Sequence, residues 1–422
     1  MKAYRNVAAF WLAGFCNNFC YVVLLTGAQD ILKRDDVSVE EEAPDQCLAS
    51  RDSFVCTPHS TGLILLFNIL PGLTLKLIFP LFQHRIPYSV RQIFISVNLA
   101  CSLIIIALSP SLFVSLIGIF FASISSGLGE ASFLGLASHF DRYTVAAWSS
   151  GTGLCGVVGS LVYALVTDKR FLGLSPRIAL LCTLVAPILY FITFFFILHR
   201  PETITRAEIT SPTTWVNRCS VKNLHSTPSL KESPVNAQND LTNVPDRPKT
   251  DIEKFGAKQK MVATKSLLKY MIPLFVVYFA EYEINQGLLE LTVFNCDRSF
   301  SSSPSAQYRC RTSISVVELN IYWILMMPVI QLINLAVFTS NLFFDFIGHF
   351  WIAGLVVLFE GLIGGSSYAN TFAHIHHDMG GELREFALST VSLSDSLGIL
   401  AAAVTAIPLH NYLCSVVFSK VS

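Results

Sequence analysis

The sequence predicts an all-α polytopic membrane protein, and its composition and hydropathy pattern carry that prediction. Hydrophobic residues make up 52% of the 422 residues and charged residues only 14%, against about 25% charged residues in an ordinary soluble domain. Windows of about 19 residues also find a series of apolar stretches that, as helices, are long enough to cross a hydrocarbon core about 30 Å thick. No alternating strand pattern competes with them. The expected fold is a bundle of about ten membrane helices.

The apolar stretches follow one another through most of the chain. In order, they cover residues 7–32, 61–83, 92–109, 111–137, 146–167, 178–198, 267–293, 317–339, 346–372 and 386–413. The first stretch has one feature of a secretory signal peptide, because Lys2 and Arg5 precede it. Its length and the polar pair Asn17 and Asn18 near its centre favour a retained helix instead.

A polar segment divides the apolar stretches into two groups. Residues 199–265 are rich in Ser, Thr, Pro, Asn and Lys and lack a sustained apolar period, which predicts a flexible loop. We therefore expect a six-helix bundle at 1–198, this loop at 199–265 and a second helical bundle at 266–422. Lys and Arg residues are concentrated in the loop just before the seventh stretch, so the positive-inside rule places the loop and the N-terminus in the cytosol. The acidic segment 33–59 would then face the opposite compartment.

Charge balance and cysteine spacing exclude several function classes. The 29 Lys and Arg residues balance 29 Asp and Glu residues, so nothing favours a nucleic-acid partner. The 11 cysteines have no zinc-site spacing and no phosphate-loop pattern occurs, so no metal and no cofactor are expected. Four loop cysteines on the non-cytosolic side form either disulfides or free thiols. They are Cys47 and Cys56 in the first loop, and Cys296 and Cys310 in a later one.

Charged residues that hydrocarbon should exclude mark the expected site of chemistry. One base, Lys76, lies deep within an apolar stretch. The acids within stretches are Glu130, Glu281, Glu283, Glu290, Glu360 and Asp395. A charge at the bilayer centre costs at least about 2.5 kcal/mol, so each is expected to face a partner or a wet cavity. Each belongs either to a structural ion pair or to a site for substrate or protons, and so many acids in one bundle favour a cavity.

Helical periodicity divides the polar residues of the seventh stretch between two faces. Glu281 and Asn285 lie four residues apart and share one face. Glu283, Gln286 and Glu290 lie on roughly the opposite face, so one narrow pore cannot be lined by both sets. Two other stretches carry a stripe of small residues with an acid. The stripes are Ser123, Ser126, Gly127 and Glu130, and Glu360, Gly364, Ser367 and Thr371. Such stripes commonly permit close helix packing, and substrate contact is the alternative.

Motifs in both halves of the chain resemble one family. In the first half they are FWL at 10–12, GFCNNF at 14–19, ASISSGLGE at 122–130 and WSSGTG at 148–153. In the second half they are VYFAEY at 277–282, INQGL at 284–288, EGL at 360–362, GG at 364–365 and REFA at 384–387. From about residue 9 to 414, outside variable loops, the chain resembles the battenin family of lysosomal membrane proteins.

The resemblance implies a fold and a range of functions. The family is similar to the major facilitator superfamily, whose two helical halves rock around a central site. The resemblance also implies a multi-pass protein of the lysosomal and late endosomal membrane. Such a protein would be linked to glycerophosphodiester clearance, lysosomal pH, basic amino acid (arginine) transport and vesicle trafficking. Between Arg311 and Tyr322 the chain is about a dozen residues shorter than its relatives. Ten membrane helices are therefore expected here in place of the family's eleven.

Residues and resemblance together predict a lysosomal transporter or export factor for small metabolites, most specifically glycerophosphodiesters, and not an enzyme. Among the candidate site residues, Lys76 is expected to contact a substrate phosphate or an acid partner. The residues expected to bind a proton or a cationic headgroup are Glu130, Glu281 and Glu360, and Asp395 is a further intramembrane acid. The residues expected to form hydrogen bonds are Asn17, Asn18, Asn285 and Gln286. The expected partners are the substrate and the lipid bilayer. A rival hypothesis is a trafficking scaffold that binds cytosolic proteins through 199–265, and a third is an intramembrane lipid enzyme.

Overall fold

The computed structural model describes seven parts of the chain. They are residues 2–32, 60–79, 86–168, 171–200, 257–292, 321–379 and 381–418. Within these parts the regular secondary structure is entirely helical. The loop cysteines Cys47, Cys56, Cys296 and Cys310 lie outside the described residues, so their disulfide state stays a prediction. The same holds for the acidic segment 33–59 and for most of the predicted loop 199–265.

The described helices follow the predicted apolar stretches in order. Those of the first half are α1 (Lys2–Thr26), α2 (Ala28–Leu32), α3 (Gly62–Ile78), α4 (Tyr88–Leu108), α5 (Leu112–Ala137), α6 (Arg142–Thr167), α7 (Pro176–Cys182) and α8 (Val185–Ile192), the last continued by a π-helical turn (Thr193–Ile197). Those of the second half are α9 (Ala257–Glu283), α10 (Ile321–Phe344), α11 (Phe350–Asp378) and α12 (Gly381–Leu413). Helix α9 continues as a π-helical segment (Ile284–Leu288) and a short 3₁₀ turn (Leu289–Leu291), and α12 as a π-helical turn (Cys414–Phe418).

Length and composition confirm a polytopic membrane protein. In the described parts of the chain, 8 helical segments are long and apolar enough to cross a membrane. They are Tyr4–Thr26, Tyr88–Leu108, Leu112–Ala137, Tyr143–Thr167, Pro176–Ile197, Tyr322–Phe344, Phe350–Asp378 and Phe386–Val417. Helix α3 is apolar but has only 17 residues, and α9 carries lysines near its start and Glu281 and Glu283 near its end. Each predicted stretch therefore coincides with a helix, with α7 and α8 together forming the sixth.

The two groups of helices meet around a polar centre. Helix α1 packs along α6, and α3 packs against α5, within the first half. From the second half, α12 packs against α9 and also crosses to α3 and α5, while α11 packs against α9 and α6. Large apolar side chains such as Phe113 and Phe344 are 71% and 79% exposed, as suits surfaces that face hydrocarbon. The outer surface is thus apolar, and most of the buried charged residues lie where α3, α5, α9, α11 and α12 converge.

Glycines allow α3 and α5 to approach closely. A Cβ atom placed on Gly127 would lie 2.7 Å from the Cα atom of Gly72 and 2.8 Å from its carbonyl oxygen, distances that only a glycine pair tolerates. The Gly72 amide also donates to Ser123 Oγ at 2.9 Å. One helical turn further along each helix stand Lys76 and Glu130. The close contact at Gly72 and Gly127 therefore brings this base and this acid together.

Substitution of Gly127 tests that contact. We expect Gly127→Ala to lower the free energy of unfolding by about 1–3 kcal/mol, because the added methyl group forces α3 and α5 apart. Gly354 on α11 provides a matched control, since no described heavy atom lies within 4 Å of a Cβ placed there. Gly354→Ala should keep or raise stability, by up to about 1 kcal/mol from helix propensity. Thermal melting of the purified protein in detergent measures both effects, and equal melting temperatures for Gly127→Ala and wild type would contradict the expectation.

Candidate functional site

A cavity of about 110 Å³ lies where the two halves meet. Residues of α1, α3, α5 and α6 from the first half and of α9, α11 and α12 from the second line its wall. Among the described lining residues are these predicted site residues: Asn18, Lys76, Glu130, Glu281 and Asp395. The stripe of Ser123, Ser126, Gly127 and Glu130 on α5 also faces this cavity. Four other predicted residues, Asn17, Asn285, Gln286 and Glu360, are not among the described residues that line it.

Lys76 is the one cation among the described residues that line the cavity, and the protein holds it firmly. Its Nζ atom lies 2.6 Å from Glu130 Oε2, and its side chain is only 4% exposed. The same atom donates to Ser396 Oγ at 2.7 Å and to the Ser392 carbonyl at 3.3 Å. An ammonium group has three donors, so each has a partner here. The structure thus shows Lys76 paired with an acid, while contact with a substrate phosphate stays a prediction.

The bonds of this ion pair join the two halves of the bundle. Lys76 on α3 donates to two residues of α12. Glu130 on α5 accepts at Oε1 from the Tyr368 hydroxyl of α11 at 3.0 Å. Asp395 on α12 is buried and lines the same cavity as Lys76 and Glu130. We call Lys76, Glu130, Tyr368, Asp395 and Ser396 the interface cluster.

Glu281 enters the cavity from α9. Its side chain is 8% exposed, and its Oε2 atom has no hydrogen-bond partner among the described residues. The carboxyl group rests against Gly364 of α11, where a Cβ atom would collide with Oε2. The stripe that contains Gly364 therefore permits α11 to pack closely on α9. Close packing holds Glu281 at the cavity wall, with its Oε2 atom buried against α11 and without a hydrogen-bond partner among the described residues.

Tyrosines form an aromatic wall that sequence reasoning missed. The rings of Tyr278 and Tyr282 on α9 are stacked with centroids 6.2 Å apart, and both residues line the cavity. The ring centroid of Tyr21 on α1 lies 6.5 Å from that of Tyr282, and the ring centroid of Tyr368 lies 6.2 Å from that of Tyr278. Tyrosine faces attract cations. The sequence signal was the spacing of four residues between Tyr278 and Tyr282 on either side of Glu281.

Asn285 links the two acids Glu281 and Glu360. Its Nδ2 atom donates to the Glu281 carbonyl at 3.0 Å and to Glu360 Oε1 at 3.2 Å. Glu360 is fully buried. The backbone changes from α- to π-helical at Ile284–Leu288, the segment that contains Asn285, and such π segments are frequent at functional sites. These two residues thus form a layer behind Glu281.

The opposite face of α9 contacts different partners. Glu283 accepts from Thr405 Oγ1 of α12 at 2.6 Å. The backbone carbonyl of Gln286 accepts from Thr61 Oγ1 at 3.0 Å, and its side chain is fully buried. Neither residue is among the described residues that line the cavity. The separation of Glu281 from Glu283 and Gln286 follows the helical faces that periodicity predicted.

The two adjacent asparagines near the centre of α1 also point to different places. Asn17 donates to the Ser126 carbonyl of α5 at 3.2 Å and accepts from the Tyr190 hydroxyl of α8 at 3.3 Å, so it joins three helices. Asn18 lines the cavity and donates to Thr152 Oγ1 of α6 at 3.3 Å. Asn18 is therefore placed to meet a ligand, whereas Asn17 holds the helices that surround the cavity.

Comparison with known proteins identifies the family to which this chain belongs. The CLN3 protein family model matches residues 8–416. The chain belongs to the CLN3 family. Battenin from Canis lupus familiaris is 36% identical over 430 residues, covering 97% of this chain and 92% of battenin. Protein btn-1 from Neurospora crassa is 33% identical, covering 96% of this chain and 88% of that protein. The predicted family membership of this CLN3-family protein is confirmed.

A solved structure confirms the predicted fold. The crystal structure of the human organic anion transporter MFSD10 (TETRAN) matches 100% of this chain and 100% of its own chain with a TM-score of 0.52. Sequence identity is 13%, so the likeness shows the fold alone, which is the major facilitator fold. Family, helices and fold together show a multi-pass membrane protein of the CLN3 family with the major facilitator fold.

Proposed function

We propose that this CLN3-family protein is a secondary transporter that exports small phosphodiester metabolites, glycerophosphodiesters first, across the lysosomal and late endosomal membrane. The observation that carries the proposal is the buried ion pair of Lys76 and Glu130 in a cavity between the halves, with bonds to both α11 and α12. The buried Lys76 suits a molecule with an anionic centre. The tyrosine wall and the Glu281 carboxyl group suit a polar or cationic end on the same molecule.

Exchange of partners at Lys76 supplies a mechanism. A substrate phosphate that reaches Lys76 competes with Glu130 and Ser396 for the ammonium donors. Once these bonds break, α12 loses a contact to α3 of the first half, and the halves are freer to rock around the site. Substrate binding thus favours the change of conformation through differential contacts in the two states.

Displacement of the Glu130 carboxylate couples substrate binding to the uptake of a proton. Glu130 without its cation is a buried charge with no compensation, which costs several kcal/mol. Uptake of a proton by Glu130 removes that cost. Glu281, whose buried Oε2 atom has no hydrogen-bond partner among the described residues, is a second candidate for proton binding. Export of substrate together with a proton would link this protein to luminal pH.

The charge of the cavity favours a second candidate function, which is transport of a basic amino acid such as arginine. Among the described lining residues, the carboxyl groups of Glu130, Glu281 and Asp395 stand against the single ammonium group of Lys76. With all three ionised, the cavity carries net negative charge and attracts a cation. A trafficking scaffold that acts through 199–265 remains the hypothesis of a different class.

Metabolite profiles of purified lysosomes, with and without the protein, separate these functions. Accumulation of glycerophosphodiesters in the absence of the protein is the result we expect. Accumulation of arginine or lysine would favour the second candidate instead. An unchanged profile, with trafficking lost when residues 199–265 are deleted, would overturn both transport hypotheses in favour of the scaffold.

A further inference from the structure

Asn68 on α3 is a polar residue of the cavity that has no role in the exchange of partners at Lys76. It is 2% exposed and lines the cavity wall. Gly72 and Lys76, four and eight residues later on the same helix, line the same cavity. In the described parts of the chain, neither Nδ2 nor Oδ1 of Asn68 has a hydrogen-bond partner.

Other asparagines of the described helices behave differently. Asn18 donates to Thr152, and Asn285 donates to Glu360. On α4, Asn98 donates to the Phe121 carbonyl and to Ser125 Oγ. Buried polar groups in folded proteins nearly always have partners, because an unpaired one has lost its hydration without compensation. A buried residue that lines a cavity and has both amide atoms unpaired is therefore placed to bind a ligand there.

The chemistry of the amide indicates which ligand group it recognises. An amide side chain offers donors at Nδ2 and an acceptor at Oδ1. A phosphate only accepts and an ammonium group only donates, whereas a hydroxyl group does both and satisfies both atoms. Lys76 lies about 12 Å further along α3 by helical rise, and its long side chain tilts back toward Asn68. A hydroxyl group a few bonds from an anionic centre fits this spacing.

We propose that Asn68 forms a hydroxyl-binding subsite that selects phosphodiesters whose alcohol part carries free hydroxyl groups. The subsite rests on the proposed function, since it assumes that the phosphate lies near Lys76. It assigns the alcohol part of the substrate to the end of the cavity at Asn68. Selection follows because a diester without hydroxyl groups leaves both amide atoms unpaired in the complex.

Two matched probes test the subsite. Glycerophosphocholine carries two free hydroxyl groups, and propyl phosphocholine has hydrogen in their place. Binding is measured by the rise in melting temperature in detergent, and transport by uptake into proteoliposomes. We expect the wild-type protein to bind glycerophosphocholine at least about 10-fold more tightly. Asn68→Leu should weaken glycerophosphocholine binding by about 10-fold and change propyl phosphocholine binding less than about twofold, which removes the preference.

Control variants keep the test decisive. Asn98→Leu removes an asparagine whose bonds stay within α4 and α5, and it should keep the wild-type preference. If Asn68→Leu fails to fold, Asn68→Ser replaces it in the test. The serine hydroxyl group can still bond to the ligand, so this variant should show a preference for glycerophosphocholine between those of the wild type and of a protein without the subsite. A wild-type preference in Asn68→Leu, or equal binding of both probes by the wild type, would overturn the subsite. Binding with the expected preference but without uptake would instead overturn the proposed transport and leave the subsite standing.

Discussion

The double variant Lys76→Met/Glu130→Gln is expected to fold and to lose uptake of phosphodiesters by at least about 100-fold. The loss follows because Lys76 is the single cation among the described residues that line the cavity, and a 100-fold change corresponds to about 2.7 kcal/mol of binding. Removing both charges avoids the cost of an uncompensated buried carboxylate. Uptake of glycerophosphocholine into proteoliposomes, normalised to the amount of folded protein, measures the effect.

Single variants show why the double variant is needed. Lys76→Met alone leaves Glu130 buried without its cation and should lower stability by about 3–5 kcal/mol, so loss of uptake would be ambiguous. Lys269→Met on α9 is a matched control, since that ammonium group lies over the Tyr270 ring and outside the described cavity lining. It should keep wild-type uptake. If the folded double variant transported at the wild-type rate, Lys76 would not be the anion contact.

Glu281→Gln is expected to make uptake independent of luminal pH between about 5 and 7. Glutamine has the shape of a protonated glutamic acid and cannot release the proton, so the site is fixed in one protonation state. Glu281 lines the cavity, one of its carboxyl oxygens has no hydrogen-bond partner among the described residues, and Asn285 donates to its backbone carbonyl from one turn away. Uptake in vesicles with a series of internal pH values measures the profile.

Glu283 supplies the matched control for that experiment. It lies two residues away on the same helix, but its carboxyl group accepts from Thr405 on the opposite face. Glu283→Gln should therefore keep the wild-type pH profile. A Glu281→Gln variant that responds to pH as the wild type does would contradict the assignment, and Glu130 or Glu360 would then be the coupling acid to test.

The helices were predictable from sequence because the length of an apolar stretch is a local property of the chain. Each predicted stretch coincides with a helix, including α3, whose Lys76 interrupts an otherwise apolar run. The division of α9 into two faces was predictable for the same reason, since helical periodicity alone separates Glu281 from Glu283.

Contacts between distant residues could not be read from the sequence. Tyr368 and Glu130 are 238 residues apart in the chain, and no local pattern indicates that they meet. Asn17 and Asn18 look equivalent in sequence, yet a rotation of about 100° between neighbours directs one to helix packing and the other to the cavity. Asn68 could not be singled out from the sequence because its side chain is uncharged, and only charged residues stand out clearly within an apolar stretch.

The interface cluster has a consequence for how the chain is made. Lys76 is bonded to Ser396, 320 residues later, so its full set of partners exists only when almost the whole chain has left the ribosome. At about 5–20 residues per second, Lys76 waits roughly 15–60 s for Ser396 to be synthesised. During that interval the nascent bundle exposes an incompletely bonded polar surface to the membrane interior. Chaperones and degradation enzymes that survey newly inserted helices have that interval in which to act, and a chain that ends before α12 would present the same surface permanently.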